Sequence, residues 1–323
     1  MDATPGIGVG HAIRCLALAE ELEILGFESI FVGETSSILW LEDQIDAIPR
    51  TVRLASENLF EINDARDILI IDSYYLDPNS KFIHRLPWRA TSAIVDSSTP
   101  NYLVDVYIHP GERGSWQPPP GNRNQTLLEG ISYVPIRKAI RLINHSVSLN
   151  AEKKVLTVVG GGTDPTSFIE SIIPVLQRLS LEYDARIFTP NRAITSADKR
   201  IKIFSPEDKI EQHFSKSDIV LTTAGTSAWE VASMGIPMGI AQAVENQKPN
   251  YEFFTTKGLA LGIGQYANTE WHFSIENLLL LLTSEPVLQS IAQAQNSVSL
   301  KLGSARVVND LIDAIFSNKN FGA

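Results

Sequence analysis

A histidine set directly after a glycine-rich turn opens the chemistry of this chain. The turn is Pro5-Gly6-Ile7-Gly8-Val9-Gly10, His11 follows it, and Arg14 lies one helical turn further on. Glycines at 6, 8 and 10 let the backbone turn tightly and approach a ligand closely. A helix is predicted immediately after, because Ala12, Ile13, Leu16, Ala19, Leu22 and Leu25 recur at helical spacing. A turn feeding a helix start is an anion site, since the first N–H groups have no partner inside the helix. An imidazole at that junction can exchange a proton with whatever the loop holds.

Two further loops follow the same plan. Gly160-Gly161-Gly162-Thr163-Asp164-Pro165 comes after the apolar run Val155–Val159, and Thr222-Thr223-Ala224-Gly225-Thr226-Ser227 comes after Ile219-Val220-Leu221. The first loop departs from the G-x-G-x-x-G dinucleotide fingerprint because His11 follows the third glycine directly. No Gly-Lys-Ser/Thr follows to make a Walker loop. Several Gly-rich turns together point to a diphosphate held by helix N-termini rather than by lysines, each terminus contributing about 0.3–1 kcal/mol. Glu230 and Glu245 suit hydrogen bonds to ribose hydroxyls.

The elements that must position these residues alternate. Strands are expected at Ser29–Val32, Val52–Leu54, Ile68–Ile71, Ala93–Val95 and Val104–Ile108, then at Val155–Val159, Ala185–Phe188, Ile201–Ile203, Ile219–Leu221 and Pro237–Ala241. Continuous apolar runs such as Ile68–Ile71 suit strands buried on both faces of a parallel sheet. Helices are expected from about Thr166, over Ala228–Met234, from Glu245-Asn246-Gln247 to Lys257, and through most of 274–323. The class is α/β. Asp72-Ser73-Tyr74 and Asp96-Ser97-Ser98 close two strands and mark the ligand edge of the sheet. Gly111–Gln125, with Pro118-Pro119-Pro120, reads as an exposed loop, and 126–150 as the passage between halves. Two domains are expected, 1–145 and 146–323. Only Met1–Thr4 precede the first loop, too few for the strand that normally feeds such a turn, so Met1 reads as an internal residue.

Composition narrows the function. The chain has 323 residues, 44% of them hydrophobic, and carries a net charge of −10 from 27 basic and 37 acidic residues. Nucleic-acid binding, which needs a basic footprint, is disfavoured. A phosphorylated small ligand remains compatible, because backbone N–H groups alone can hold it. The single cysteine, Cys15, reads as a small buried hydrophobe and suits a reducing cytoplasm. No apolar run nears the roughly 20 residues of a membrane span, and the N-terminus shows no signal peptide. His84, His109, His145, His213 and His272 show no paired metal spacing. Neither a metal nor a cofactor is expected.

With these residues in view the chain resembles a family. Gly8-Val9-Gly10-His11 with Arg14-Cys15-Leu16, Asp72-Ser73-Tyr74, Gly130, Tyr133 and Arg137 carry the first part of the resemblance. Gly161-Gly162-Thr163-Asp164, Ala224-Gly225-Thr226-Ser227-Ala228-Trp229-Glu230 and Glu245-Asn246-Gln247 carry the rest, in order along nearly the whole chain. The set is similar to the UDP-2,4-diacetamido-2,4,6-trideoxy-β-L-altropyranose hydrolases of pseudaminic acid biosynthesis, which are related to spore-coat polysaccharide proteins. The resemblance implies a GT-B-like fold of two Rossmann-like, doubly wound domains facing a cleft, with UDP held by the C-terminal domain. It implies a metal-independent attack of water on the anomeric carbon, with His11 and Tyr74 catalytic. Substrate binding would involve Gly8, Gly10, Arg14, Gly162, Thr163, Asp164, Gly225, Thr226, Ser227, Glu230, Glu245, Asn246 and Gln247. Two departures stand out: the family strand before the first loop is missing, and Asp96-Ser97-Ser98 stands where relatives often show an acidic pair. The rivals are a GT-B glycosyltransferase using a UDP-sugar donor and a non-catalytic nucleotide-sugar-binding homologue. The lack of a basic amphipathic stretch for a membrane-borne acceptor favours water.

Overall fold

The computed structural model describes residues 3, 9–33, 35, 38–54, 66–84, 88–120, 125–143, 145, 153–205 and 209–317. Met1, Gly6 and Gly8, and with them the expectations for a strand before the first loop, lie outside the described residues. Contacts divide the chain into two compact units. Unit 1 comprises Met1–Thr4, His11–Arg137 and Leu302–Ala323; unit 2 comprises Pro5–Gly10 and Lys138–Lys301.

Unit 1 begins with α1 (Gly10–Ile24), β1 (Ser29–Val32), α2 (Leu39–Asp46) and β2 (Thr51–Leu54). It continues with β3 (Ile68–Ile71), α3 (Lys81–His84), β4 (Ala90–Ile94), β5 (Val106–His109) and β6 (Thr126–Glu129). Strands β1 and β2 pair in parallel, and β3-β4-β5-β6 form a second, all-parallel sheet. Parallel strands require a crossover between neighbours, so all C-terminal strand ends emerge along one edge. Asp72 directly follows β3 and Asp96 lies two residues beyond β4, its immediate neighbour. Thr126–Glu129, read along the sequence as part of a passage, is an edge strand on β5. Leu128 is its only fully buried side chain, so the apolar run that marks the other strands is absent.

Unit 2 runs α4 (Lys138–Arg141), β7 (Lys154–Val159), α5 (Phe168–Arg178), β8 (Tyr183–Phe188), β9 (Ile201–Phe204), α6 (Ile210–Phe214) and β10 (Ile219–Thr223). It continues with α7 (Thr226–Met234), β11 (Met238–Gln242), α8 (Lys248–Thr256), β12 (Leu261–Ala267), β13 (Glu270–Phe273), α9 (Ile275–Thr283) and α10 (Glu285–Asn296). The sheet order is β13-β12-β11-β10-β7-β8-β9. Its six parallel strands reverse direction of winding between β7 and β10, which is the doubly wound arrangement whose ligands bind at the switch point. The core lies over β7, β8 and β10, where Leu156, Val158, Ile187 and Leu221 meet Phe168, Ile169, Ile172 and Leu176 of α5. The β12–β13 hairpin has no strong turn signature in its sequence. Its turn residues Asn268 and Thr269 both take positive φ (53° and 67°), the conformation that Asn-Gly usually supplies.

The last helix, α11 (Gly303–Ser317), returns to unit 1. Val307, Val308, Leu311 and Ile315 complete a core with Leu18, Ile94, Val106 and Ile108. Tyr133 Oη donates to Asp310 Oδ2 at 2.7 Å, and Ser304 Oγ bonds both backbone groups of Ile136 at 2.8 Å. Each fully buried aliphatic side chain contributes about 1.5–3 kcal/mol. The unit boundary therefore differs from a single cut at 145/146, because an amphipathic helix far along the chain supplies the missing face of the first core.

Candidate functional site

The C-terminal edge of β3 and β4 and the first turn of α1 bring five polar side chains of unit 1 together. His11 is 5% exposed and Asp72 1%. His11 Nδ1 lies 2.5 Å from Asp72 Oδ1. Arg14 donates Nη2–H to the same oxygen at 2.6 Å and Nε–H to Oδ2 at 2.8 Å, a bidentate pair. Helical spacing puts His11 and Arg14 on one face of α1, so a single carboxylate at a strand end meets both. Burial pushes the Asp72 carboxyl up, but the charge of Arg14 and the bonds from His11 and Arg14 outweigh it and hold the group below the usual range. Burial likewise works against the charged form of Arg14, and Asp72 more than offsets it.

These bonds assign the imidazole tautomer. An ionised Asp72 can only accept, so Nδ1 carries the proton of the 2.5 Å bond. The 3.2 Å approach of Arg14 Nη2 to Nδ1 is then a proximity and not a second bond, because a protonated ring nitrogen has no lone pair to offer. Nε2 makes no hydrogen bond among the described residues.

Tyr74 fixes the other side of the ring. Its centroid lies 4.4 Å from that of His11 with the planes at 88°. Tyr74 Oη donates to Asp96 Oδ2 at 2.5 Å. Asp96 is itself held by Ser98 N–H and Thr99 Oγ1 on Oδ1, at 2.9 and 3.2 Å. Burial first, then the Asp96 charge, raises the Tyr74 phenol above its ordinary value, so it serves as a donor and not as a base. Sequence reading marked Asp72 and Asp96 as strand-end polar residues. It did not foresee that one grips His11 and the other grips Tyr74; two successive apolar strands each ending in Asp was the available signal.

His109, also at a strand end, has both ring nitrogens bonded inside unit 1: Nδ1 to Val95 O at 3.0 Å and Nε2 to Ser115 Oγ at 2.8 Å. It is a packing histidine. Arg137 bonds Gln44 Oε1 at 2.9 Å.

In unit 2 the loops after β7 and β10 are neighbours, since these strands pair directly. The Asp164 carboxylate accepts from Phe168 N–H at 2.8 Å and Ile169 N–H at 3.0 Å, closing the first turn of α5. A Cβ on Gly160 would come within 2.6 Å of Asp164 Oδ1, so glycine is what lets the carboxylate tuck under the loop. Burial raises the Asp164 carboxyl more than these N–H bonds lower it. Gly162 and Thr163 lie half-buried on the same loop. Gly225 precedes α7, and half-buried Thr226 and Ser227 form its first turn. Glu230 is buried in the second turn, and Trp229 packs on Phe253 and Phe254 at 5.7 and 4.5 Å. Glu245-Asn246-Gln247 forms a 3-10 turn ahead of α8. Gln247 Oε1 accepts from Ala243 N–H at 2.9 Å, Asn250 Nδ2 donates to Ala224 O at 3.2 Å, and Glu245 and Asn246 stay exposed. Gly10 is the first residue of α1.

Among the described residues no group of three or more His, Cys, Asp and Glu could hold a metal ion, and no helix is long and apolar enough to cross a membrane.

No protein-family model matches the chain. It is 23% identical over 282 residues to an uncharacterized protein of Methanocaldococcus jannaschii, covering 79% of this chain and 57% of that one. It is 24% identical over 189 residues to a processive diacylglycerol β-glucosyltransferase of Bacillus pumilus, covering 54% and 47%. The chain thus spans about half the length of these two relatives. It is 21% identical over 326 residues to the spore coat polysaccharide biosynthesis protein SpsG of Bacillus subtilis, covering 95% and 91%. Among solved structures it resembles Acinetobacter baumannii MurG (TM-score 0.56, 15% identity, 97% and 98% covered) and the S. aureus MnaA–UDP co-structure (TM-score 0.64, 13%, 98% and 95%). The fold is GT-B, built of two Rossmann-like units. Two of the relatives by sequence are named as sugar transferases, a diacylglycerol β-glucosyltransferase and an N-acetylglucosamine transferase.

Proposed function

We propose that this chain is an enzyme that cleaves a UDP-linked 2,4-diacetamido-trideoxy sugar at its anomeric carbon, with water as the attacking group. The observation that carries the reading is the His11–Asp72 pair, which engages Nδ1 of a buried, oriented imidazole and leaves Nε2 without a partner among the described residues. In the proposed step Nε2 takes a proton from water while the water oxygen bonds the anomeric carbon. The bond from that carbon to the diphosphate oxygen breaks, and its electron pair leaves on UDP. General base catalysis of this kind contributes about 10²–10⁴-fold. The leaving diphosphate gains charge, and main-chain N–H groups at the start of α7, which no side chain caps, suit its stabilisation without any lysine. Asp72 keeps the imidazole in the useful tautomer, Arg14 keeps Asp72 ionised, and Tyr74 keeps the ring from turning. Glu230, Glu245, Asn246 and Gln247 are assigned to the nucleotide, Glu245 to a ribose hydroxyl. The domain roles follow: unit 1 supplies the proton transfer and unit 2 the UDP grip.

A transferase reading stands beside it, supported by relatives named as glycosyltransferases. The two separate in one experiment. The protein is incubated with candidate UDP-diacetamido sugars in ¹⁸O-water, without acceptor, and followed by phosphorus and proton NMR. Release of UDP with ¹⁸O on the sugar's anomeric carbon is the expected result. Turnover that appears only when a sugar or lipid acceptor is added favours the transferase, and UDP binding without turnover under either condition defeats both.

A further inference from the structure

The β12–β13 hairpin carries three aromatic rings on one face. Tyr266 and Trp271 are direct cross-strand partners, and Phe273 lies two residues beyond Trp271 on the same side. Ring centroids are 5.5 Å apart for Tyr266–Trp271 and 5.4 Å for Trp271–Phe273, the latter pair with planes only 6° apart. Gly264 is the partner of Phe273, and a Cβ there would come within 2.9 Å of that ring, so its absence lets Phe273 lie over the strand. Trp271 is pinned from below: Nε1–H donates to Thr166 O at 2.9 Å, and the indole meets Phe168 edge-on at 5.1 Å.

Between this platform and α5 lies a cavity of about 610 Å³. All three rings are half-buried, so folding leaves part of each apolar face in contact with water. Arg178 and Glu270 line the same cavity, both exposed, and neither has a side-chain partner among the described residues. Ser171 adds a hydroxyl. Pro165 of the loop after β7 borders it, whereas Gly160–Asp164, Gly225–Ser227 and Glu245–Gln247 do not line it.

We infer that this cavity is a second binding site of unit 2, one that takes a neutral saccharide of one or two rings. The volume lies in the range of small-molecule pockets, about 300–1,000 Å³. A pyranose has an apolar C–H face that fits an aromatic surface and a hydroxyl edge that needs both donors and acceptors. Here Arg178 donates, Glu270 accepts, and Ser171 does either. An apolar peptide would leave both charges without partners. A phosphorylated ligand would meet Glu270 as well as Arg178, with no net positive field to hold it.

The test uses the full chain, titrated with N-acetylglucosamine, chitobiose and a triproline peptide, read by saturation-transfer NMR and calorimetry. Saturable millimolar binding of chitobiose is expected, with saturation transfer to its ring C–H protons. Trp271→Leu is expected to weaken it at least about tenfold, and Arg178→Ala or Glu270→Ala about threefold each. UDP affinity should stay unchanged in all three. The two charge variants change exposed side chains, so they decide the matter even where Trp271→Leu folds poorly. The inference is overturned by absence of saccharide binding, by saccharide binding indifferent to all three changes, or by triproline binding in its place. UDP binding is measured in parallel; its loss would bear on the nucleotide reading and not on this cavity.

Discussion

Unit 1 and unit 2 handle polar chemistry in opposite ways. In unit 1 the candidate centre is made of side-chain charge taken out of water: Arg14, Asp72 and His11 in one contact set, with Tyr74 and Asp96 bonded beside it. In unit 2 the loops after β7 and β10 are glycine, threonine and serine, and the one carboxylate, Asp164, is spent on the N–H groups of its own helix. Buried ion pairs repay their desolvation only when every partner is present. Backbone dipoles at a helix start bear no such cost, because their orientation is fixed by the fold. The contrast teaches a division of vulnerability. Substitutions in the first centre should register in stability and turnover, and substitutions around the second should register in nucleotide affinity.

The sharpest way to break that contrast is at Asp72. Asp72→Ala leaves a half-buried Arg14 without its counter-charge and is expected to cost about 3 kcal/mol in denaturant unfolding, the low end for a broken buried pair because Arg14 keeps some contact with water. Asp72→Asn should cost less, since it still offers one acceptor. The pH dependence follows from the depressed Asp72 carboxyl. Its stabilising contribution is complete above the ordinary carboxylate range and is lost as pH falls through the lower folded-state value. The Asn variant should therefore lose part of the acid limb of the stability curve. A variant as stable as the parent, with the same acid limb, would mean that the ion pair contributes nothing and the contrast is false.

His11→Ala comes next in size. It should lower kcat by at least about 10²-fold while UDP affinity stays within error, because in the proposed step Nε2 acts on the attacking group and not on the nucleotide. Near-normal turnover would remove His11 from its assigned role.

How much of this was legible in the chain follows the same division. The α/β alternation, the continuous apolar strands and the loops at their ends are local patterns, and Ser29–Val32 and Ile68–Ile71 match the observed strands residue for residue. Pairings across long separations are not local: nothing near His11 announces that its partner is Asp72, 61 residues on. The return of α11 to unit 1 is another, since its buried face reads the same whichever core it fills. The β12–β13 hairpin was illegible for a different reason: its positive-φ turn is made by Asn268-Thr269, and threonine is a poor advertisement for that conformation.

Tyr74→Phe separates ring from hydroxyl. The ring should still bear on His11, while Asp96 loses a bond that, half-buried as Tyr74 is, contributes about 1 kcal/mol. The Tyr74 phenol is raised in the folded protein, so its contribution is present below the ordinary phenol value and disappears as pH rises through the folded-state one. The Phe variant should match the parent more closely in strong alkali than at neutral pH. A gap between them that widens with alkali would contradict the Tyr74–Asp96 bond.

The smallest effect tests the second centre where it is most exposed. Glu245 makes no side-chain hydrogen bond among the described residues and lies open to solvent at the start of the 3-10 turn before α8. Removing it should leave unfolding unchanged, since no protein group depends on it. If its carboxylate meets a ribose hydroxyl, Glu245→Ala should weaken UDP binding by calorimetry about 2–10-fold, the equivalent of one hydrogen bond of about 0.5–1.5 kcal/mol. The fall in kcat at saturating substrate should be smaller, because the lost contact is far from the bond that breaks. Unchanged UDP affinity would detach Glu245 from the nucleotide. A fall in stability would instead show that unit 2, like unit 1, relies on side-chain charge, and would remove the difference from which the other expectations descend.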